Sequence, residues 1–495
     1  MAFAITQTCC ADASCVSVCP VNCIHPAPGE PDFGRTEMLY IDPGTCIDCG
    51  ACADACPVDA IFPAGDLTGP PRAYVEINAE YYAGQDVLAQ ASVAPNFHRW
   101  APPAFPRVLP SDFAPLDVAV VGTGPAGMYA VEDLLLHTDS RVTLVDRLPV
   151  AGGLVRYGVA PDHPSTKKIG ETFARFLDHP RLKLRLGTGI GAARDLAGRH
   201  DAVIYAVGAT EARRLGIPGE DLPGSLPAAA VVGWYNGHPD LASVDLSAER
   251  VVVVGAGNVA LDIARILTAG PDALAGTEIA PAALAALRSG KVREVVLLAR
   301  RGPETAAYTR PELLALAARP DVGLVVDAHD ARIAAAIDGA EPGDKAALLR
   351  ELPREAVDWS SPPPDGRRIV LRFHSSPLAV CGDTEVRGVR ASGPAGDVEI
   401  TAGRVVRAAG FRGAPLPGLP FDDDSGTVPN TAGRVEGRPG TYVAGWIKRG
   451  PSGGIGANKA CARETVGALL EDAVAGRLPA RRRRARLTAK LLRRA

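Results

Sequence analysis

Two segments of this 495-residue chain run the same way. LDVAVVGTGPAGMYAVEDLL, from Leu116, and RVVVVGAGNVALDIARIL, from Arg250, each take a short apolar strand into a glycine turn and out into a segment with apolar residues at helical spacing. A strand without polar alternation needs cover on both faces, so each segment predicts the opening of a parallel βαβ unit. In the first turn Gly122, Gly124 and Gly127 let the chain reverse tightly, let backbone approach a pyrophosphate, and let the helix lie close to its strand. The N-terminus of that helix attracts phosphate through its unpaired N–H groups. The next strand, VTLVDR, ends in Asp146, 24 residues after Gly122, where an acid meets a ribose hydroxyl. The second turn, Gly255, Ala256, Gly257, Asn258, Val259, carries Ala260 in place of the third glycine, an accepted variant.

The strand after the second turn, EVVLLARR, ends in Arg300 and Arg301 instead of an acid. Two guanidinium groups there pair with a 2′-phosphate that an acid would repel; the alternative is a solvated arginine pair. Forty-five residues separate Gly255 from Arg300, against the usual ~20, so a helical insertion at about 271 to 290 is expected. One module ending in Asp and one ending in Arg-Arg predict FAD in the first and NADPH in the second. The duplication of the module sets the fold class: α/β, with two Rossmann-like dinucleotide-binding domains.

A different chemistry fills the N-terminus. Nine of the eleven cysteines, Cys9, Cys10, Cys15, Cys19, Cys23, Cys46, Cys49, Cys52 and Cys56, fall in the first 56 residues. In a reducing compartment such clustering points to metal or redox chemistry. Cys46, Cys49, Cys52 and Cys56 with Pro57 follow C-x2-C-x2-C-x3-C-P, in which three cysteines curl around one iron–sulfur cluster and the fourth ligates another. Counting back from Cys19-Pro20 reaches Cys15, Asp12 and Cys9, the same motif with aspartate for its second cysteine. The head therefore reads as an α+β, internally duplicated, bacterial-type two-cluster ferredoxin domain. Crossed ligation assigns Cys46, Cys49, Cys52 and Cys19 to a 4Fe-4S cluster. Cys9, Cys15 and Cys56 hold the other, with Asp12 at its fourth corner. Carboxylate is a harder and weaker iron ligand than thiolate, so this second cluster is 3Fe-4S or an Asp-ligated 4Fe-4S; the alternative makes Asp12 a solvated loop residue and Cys10 the replacement ligand. Cys10 and Cys23 are otherwise expected as non-ligands. Zinc, which also suits paired C-x2-C spacings, leaves the Pro-flanked fourth cysteines unexplained.

Charge divides the chain as the motifs do. Residues 1 to 107 hold 12 acids against 4 arginines and no lysine, net −8; the remaining 44 acids and 49 bases give +5, which together make the overall −3. An acidic head on a basic body favours docking by steering. No apolar run approaches the ~20 residues of a membrane span and MAFAITQTCC is unlike a secretion signal, so a cytoplasmic protein with no stable membrane insertion is expected. The expected divisions are 1–85 for the iron–sulfur head, 86–115 for a Pro-rich linker, and 476–495 for a basic tail. That tail is read as solvated, with no nucleic-acid partner. Cys381 and Cys461 are expected to be buried and inert.

The glycine turns, with PVAGGLVRYGVAPDHPSTKK, RRGPETAAYTRPEL and YVAGWIKRGPSGGIGANK, resemble the adrenodoxin reductase type of ferredoxin–NADP reductase from about 116 to 470. With its head, the whole chain resembles the actinobacterial ferredoxin/ferredoxin–NADP reductase fusion. That resemblance implies an FAD domain in two pieces, 116–211 and 406–475, around an NADP domain at 212–405. It implies flavin contacts at Ala126, Asp146, Leu154, Ile190, Trp446, Gly453, Gly454 and Ile455. It implies NADP(H) contacts at Arg213, Asn258, Val259, Ala260, Leu261, Arg300, Arg301, Glu312 and Gly453. Trp446 and His163 are the expected catalytic-site residues, His163 lying near the nicotinamide; relatives pair it with a glutamate one turn past Glu312, a place taken here by Ala315.

The function these readings imply is NADPH–ferredoxin oxidoreduction. Hydride passes to flavin, then single electrons pass to the built-in clusters and on to an external ferredoxin or other acceptor, or the reverse. Two rivals stand beside it: an electron-input subunit like the small subunit of glutamate synthase, and a zinc-bound interaction module on a nucleotide-binding body. Nothing in the residues settles an oligomeric state.

Overall fold

The computed structural model describes residues 2–83, 107–189, 196–393 and 396–479. Most of the expected linker, Ile190 and the tail beyond 479 lie outside the described residues.

The head is two short antiparallel strand pairs related by the sequence duplication. Phe3–Ile5 pairs antiparallel with Ile61–Pro63, and Ile24–His25 with Tyr40–Ile41. Short helices Ser14–Val18 and Ala51–Asp54 carry the two cysteine loops, and Ala73–Tyr82 closes the unit. After each Cys-Pro the chain turns through a left-handed residue, Asn22 (φ 52°) in one repeat and Asp59 (φ 47°) in the other. Such residues tolerate that conformation better than most. Buried Asn78 ties both strand pairs to the closing helix: its Oδ1 accepts from the N–H of Ile5 and of Ile41 at 3.1 and 2.8 Å, and its Nδ2 donates to Ile5 O at 2.8 Å.

The first large sheet has seven strands, in the order Asn430–Thr431, Arg434–Val435, Thr441–Val443, Ala202–Tyr205, Asp117–Val121, Arg141–Val145, Leu182–Arg185. From Thr441–Val443 onward the strands are parallel. The strand that opens the first glycine turn is thus central, which is why Val118 to Val120 are wholly buried. The second sheet is seven parallel strands, Ser225–Pro227, Arg404–Arg407, Arg250–Val254, Glu294–Leu298, Arg368–Arg372, Gly323–Asp327, Arg354–Glu355. The insertion expected between Gly255 and Arg300 is there as the helices Pro271–Leu274 and Pro281–Ser289. The chain leaves the first sheet and returns through one two-stranded ribbon, Glu211–Ala212 paired antiparallel with Phe411–Arg412.

Helix Pro125–His137 lies against helix Ile455–Val474, burying Val131, Leu134, Ala462, Val466 and Leu469. Each fully buried Val or Leu contributes about 1.5–3 kcal/mol of transfer free energy. The same continuous apolar core takes in Ile5, Val58 and Ile61 of the head, so the head is packed on the first sheet's helical layer.

Candidate functional site

At the first turn the three glycines differ in what they permit. Gly122 has φ +105° and a Cβ there would lie 2.4 Å from Ala206 O, so both conformation and space demand glycine. A Cβ on Gly127 would fall 1.9 Å from Gly122 O, which is the close approach of helix to turn. A Cβ on Gly124 meets nothing within 4 Å; that face is open above the helix N-terminus, where a pyrophosphate belongs. Asp146 follows its strand and is nearly buried. Its Oδ2 accepts from the Thr123 N–H and hydroxyl at 2.8 and 2.6 Å, and Oδ1 accepts from Leu148 N–H at 2.9 Å. These bonds leave Oδ1 one further acceptor position for a ribose hydroxyl. Leu154 is half exposed at the start of helix Leu154–Tyr157.

The returning segment completes this face. Gly445, φ +75°, packs so closely that a Cβ would lie 2.6 Å from the Cβ of Ala126. Trp446 opens helix Trp446–Arg449, and its indole N–H donates to Gly453 O at 3.2 Å. The glycine loop then enters helix Ile455–Val474, with Asn458 Nδ2 donating to Gly454 O at 2.9 Å. Cys461 is buried as expected and accepts from Gly445 N–H, whereas Cys381, at the end of an antiparallel edge strand, is only half buried.

At the second turn Gly255, φ +132°, again faces backbone, with a Cβ 2.5 Å from Ala408 O. Ala260 and Leu261 have buried side chains, and their N–H groups are taken by Gly257 O. Asn258 and Val259 therefore present the open N–H groups of that helix, Asn258 being braced by Thr309 at 2.9 and 3.2 Å. Arg300 and Arg301 are exposed past strand Glu294–Leu298, and among the described residues neither enters an ion pair. Arg213 is exposed, its Nε donating to Phe411 O at 3.1 Å across the ribbon.

Glu312, 15% exposed, lies beside Arg265 and close to His163. A ring nitrogen of His163 and carboxylate oxygens of Asp262 and Glu312 lie within 4.8 Å of one another. The carboxylate partner that Ala315 removes is replaced by these two. Between them sits Arg265, 4% exposed, bonded to Asp162 at 2.8 and 3.1 Å and to Asp262 at 2.6 Å, with Glu312 at 3.6 Å. Burial raises the Asp162 carboxyl, but its Arg265 bonds and that charge outweigh burial and hold it below the ordinary range. Glu312 goes the other way: burial, then the Asp262 charge, push it above the ordinary carboxylate range. Asp162, Asp262 and Arg265 escape the motif reading, although Asp262 and Arg265 already stand out as two charges three residues apart on an apolar helix.

In the head, Cys9, Cys10, Asp12, Cys15 and Cys56 line one cavity with Ile5, Leu39 and Val58. Cys9, Asp12 and Cys15 are the first three positions of one motif and Cys56 is the fourth of the other, the set that crossed spacing groups together. Cys52 is influenced by the charges of Cys46, Cys19 and Cys49, the complementary set. Burial pushes the Cys9 and Cys52 thiols up to about 11, and raises Cys15 and Cys56 too. Buried sulfur donors that resist ionisation suit a bound metal's positive charge. Cys19 differs: a hydrogen bond from the Cys23 thiol, opposed by burial and helped by backbone N–H groups, brings it down to about 5. Cys23, expected as a bystander, thus lies 3.4 Å from the Cys19 sulfur. It fills the place that Ala60 holds in the other repeat, where Ala60 N–H donates to the Cys56 sulfur at 3.3 Å. Cys10, expected as a non-ligand, also lines the cavity of Cys9, Cys15 and Cys56, that of the second cluster.

The second cavity abuts the glycine loop. Gly456 N–H donates to Cys10 O at 2.9 Å, and a Cβ on Gly456 would lie 1.9 Å from Ala11 O. Around this contact, acids of the head meet bases of the body: Asp12 with Lys459 at 3.5 Å, Glu37 with Lys345 at 3.2 Å, Glu80 with Arg310 at 2.9 Å, and Asp59 with Lys168. Tyr74 adds a hydrogen bond to Pro311 O at 3.3 Å.

Two dinucleotide-binding sheets joined to a duplicated cysteine fold define a flavin-dependent pyridine-nucleotide oxidoreductase with a fused iron–sulfur carrier. The pyridine nucleotide-disulphide oxidoreductase family model matches residues 116–302, and the 4Fe-4S binding domain model matches 39–62. A probable ferredoxin/ferredoxin–NADP reductase of Mycobacterium tuberculosis is 48% identical over 497 residues, spanning 97% of this chain and 85% of that protein. Its Mycobacterium leprae counterpart is 45% identical, spanning 96% and 87%. The solved structure of Mycobacterium tuberculosis FprA in complex with NADPH superposes with a TM-score of 0.68 at 40% identity, covering 74% of this chain and 87% of that one. The chain belongs to the ferredoxin/ferredoxin–NADP reductase family. Among the described residues no helix is long and apolar enough to cross a membrane.

Proposed function

We propose that the chain is an NADPH–ferredoxin oxidoreductase whose head relays electrons between its flavin site and an external ferredoxin or other acceptor, in either direction. The observation that carries this is the contact of the second cysteine cavity with the glycine loop, through Gly456 N–H and Cys10 O. When bound, FAD splits the two-electron hydride of the nicotinamide into the single electrons that iron–sulfur clusters accept. Gly122, Gly124, Ala126, Gly127 and Asp146 seat its dinucleotide half. Leu154, Trp446, Gly453, Gly454 and Ile455 border its ring, with Ile190 a contact implied by the resemblance alone.

Arg300, Arg301 and Arg213 receive the NADPH phosphates, together with the open N–H groups of Asn258 and Val259. Glu312, with His163, Asp262 and Arg265, forms the polar floor between the two nucleotide units. His163 positions the nicotinamide. Cys46, Cys49, Cys52 and Cys19 hold a 4Fe-4S cluster; Cys9, Cys15 and Cys56 hold a 3Fe-4S cluster, because Asp12 is already engaged by Ser14 and Lys459. The two nucleotide units divide near 211 and 405, around the ribbon of Glu211–Ala212 with Phe411–Arg412. The clustering of cysteines near the N-terminus suits a reducing, cytoplasmic location.

Electron paramagnetic resonance on anaerobic holoenzyme, before and after NADPH, tests this reading. The expected result is an oxidised-state three-iron signal, then flavin bleaching with reduction of a cluster. A colourless head that binds zinc would overturn it.

A further inference from the structure

Asp12 stands where the first motif lacks its second cysteine, and what holds its carboxylate comes from two sides. From within the head, the Ser14 N–H donates to Oδ1 at 3.3 Å and the Ser14 hydroxyl donates to Oδ2. From the body, the Lys459 ammonium lies 3.5 Å from Oδ2 and donates to Ser14 Oγ at 3.2 Å. Lys459 is the fifth residue of helix Ile455–Val474, the helix whose Gly456 bonds Cys10. Its ammonium also lies 5.9 Å from the Tyr129 ring centroid, a cation–π distance that fixes the side chain over the interface. Asp12 is 9% exposed and its two oxygens are both in use. To take iron it must give up at least one of these partners, and a lysine is a point charge competing with a ferrous ion for the same carboxylate.

We infer that Lys459 is a positioning residue that holds the Asp12 carboxylate at the wall of the second cluster's cavity and competes with iron for it, so that docking of the head on the flavin unit keeps that cluster in its three-iron form. The inference rests on the preceding assignment of Cys9, Cys15 and Cys56 as cluster ligands. The step that Lys459 opposes is iron entry. The neutral, one-electron-reduced three-iron core takes up one ferrous ion to give a four-iron core of charge 2+, with no further electron transferred, and the Asp12 carboxylate completes the new iron. An ion pair of this exposure is worth at most ~1 kcal/mol, so its loss moves the ferrous concentration for half-conversion about threefold to fivefold. Ser14 acts in the same sense from inside the head, without crossing the interface.

The experiment is a ferrous titration of dithionite-reduced, anaerobic holoenzyme. Residual three-iron signal is read by electron paramagnetic resonance after reoxidation, with iron and sulfide counted per chain. K459M and S14A should each convert at about threefold to fivefold lower ferrous concentration than wild type, and K459R should behave as wild type. In a D12N background, K459M should cause no shift, since Lys459 acts through Asp12. FAD content of each variant reports that the fold is intact. Equal midpoints for wild type, K459M and S14A would overturn the inference while leaving the electron relay standing, as would a wild-type enzyme with two four-iron clusters and no three-iron signal. Protein without inorganic sulfide would overturn the relay itself and the inference with it.

Discussion

Replacing Gly456 by alanine tests the contact on which electron transfer depends. The added methyl would lie 1.9 Å from Ala11 O, 2.2 Å from Ala11 C and 2.6 Å from Asp12 N. These are backbone atoms that cannot swing aside, and ordinary contact begins near 3.4 Å. Head and helix must therefore part by roughly 1.5 Å, the difference between 3.4 and 1.9 Å. Overpacking of this kind costs about 1–3 kcal/mol. The Gly456 to Cys10 hydrogen bond adds about 0.5–1.5 kcal/mol if it is lost. Together the docked arrangement loses about 1.5–4.5 kcal/mol, a factor of roughly 10 to 2,000 in its equilibrium. The helix itself gains, because alanine is better than glycine in a helix by ~1 kcal/mol, so an effect cannot be blamed on unwinding. Stopped-flow reduction by NADPH separates the phases: flavin bleaching should proceed near the wild-type rate, and the following cluster reduction should slow at least tenfold. Cluster reduction at the wild-type rate in G456A would refute this route between flavin and head.

Raising salt from about 0.02 to 0.5 M should slow the cluster phase severalfold, since the four ion pairs across the junction are partly exposed and lie within reach of screening; a rate indifferent to salt would count against electrostatic docking. Arg300→Ala with Arg301→Ala should raise KM for NADPH about 10- to 100-fold, from the loss of charge-assisted bonds of about 1.5–3 kcal/mol, and leave NADH untouched. Steady-state kinetics with both nucleotides check it. Glu312 has its folded pKa raised above the ordinary carboxylate value, by burial and then by Asp262. Its contribution to stability is therefore fully present at acid pH and is lost as pH rises through the raised value. Thermal unfolding across pH should show that decline in wild type and a flatter profile in Glu312→Gln; identical profiles would refute the assignment.

What could be read ahead of the structure was what local chemistry dictates. Gly122 and Gly127 face backbone at 2.4 and 1.9 Å, contacts made within one strand-turn-helix, so spacing along the chain was enough to find them. The duplication in the head was legible for a related reason: one repeat predicts the geometry of the other, down to the paired left-handed residues Asn22 and Asp59. The polar floor had no such signature. Asp162 and His163 come from the first unit, Asp262 and Arg265 from the helix after the second turn, and Glu312 from a later helix. A reading that looked for the partner of His163 at position 315 found alanine, because it followed one helix while the fold brought two other carboxylates to the ring.

Lys459 and Ser14 are 445 residues apart in the chain and 3.2 Å apart in space, and no spacing rule reaches that far. Charge composition did carry a trace of the junction, since the head's acids and the body's bases meet in all four ion pairs across it. Net charge says that two surfaces attract, not which residues touch. The difference matters here because one of those four acids is Asp12, the residue proposed to set how many irons the second cluster keeps. On that proposal docking and cluster composition are joined through a single carboxylate, and a substitution at the interface should be read out first in the cluster's iron content.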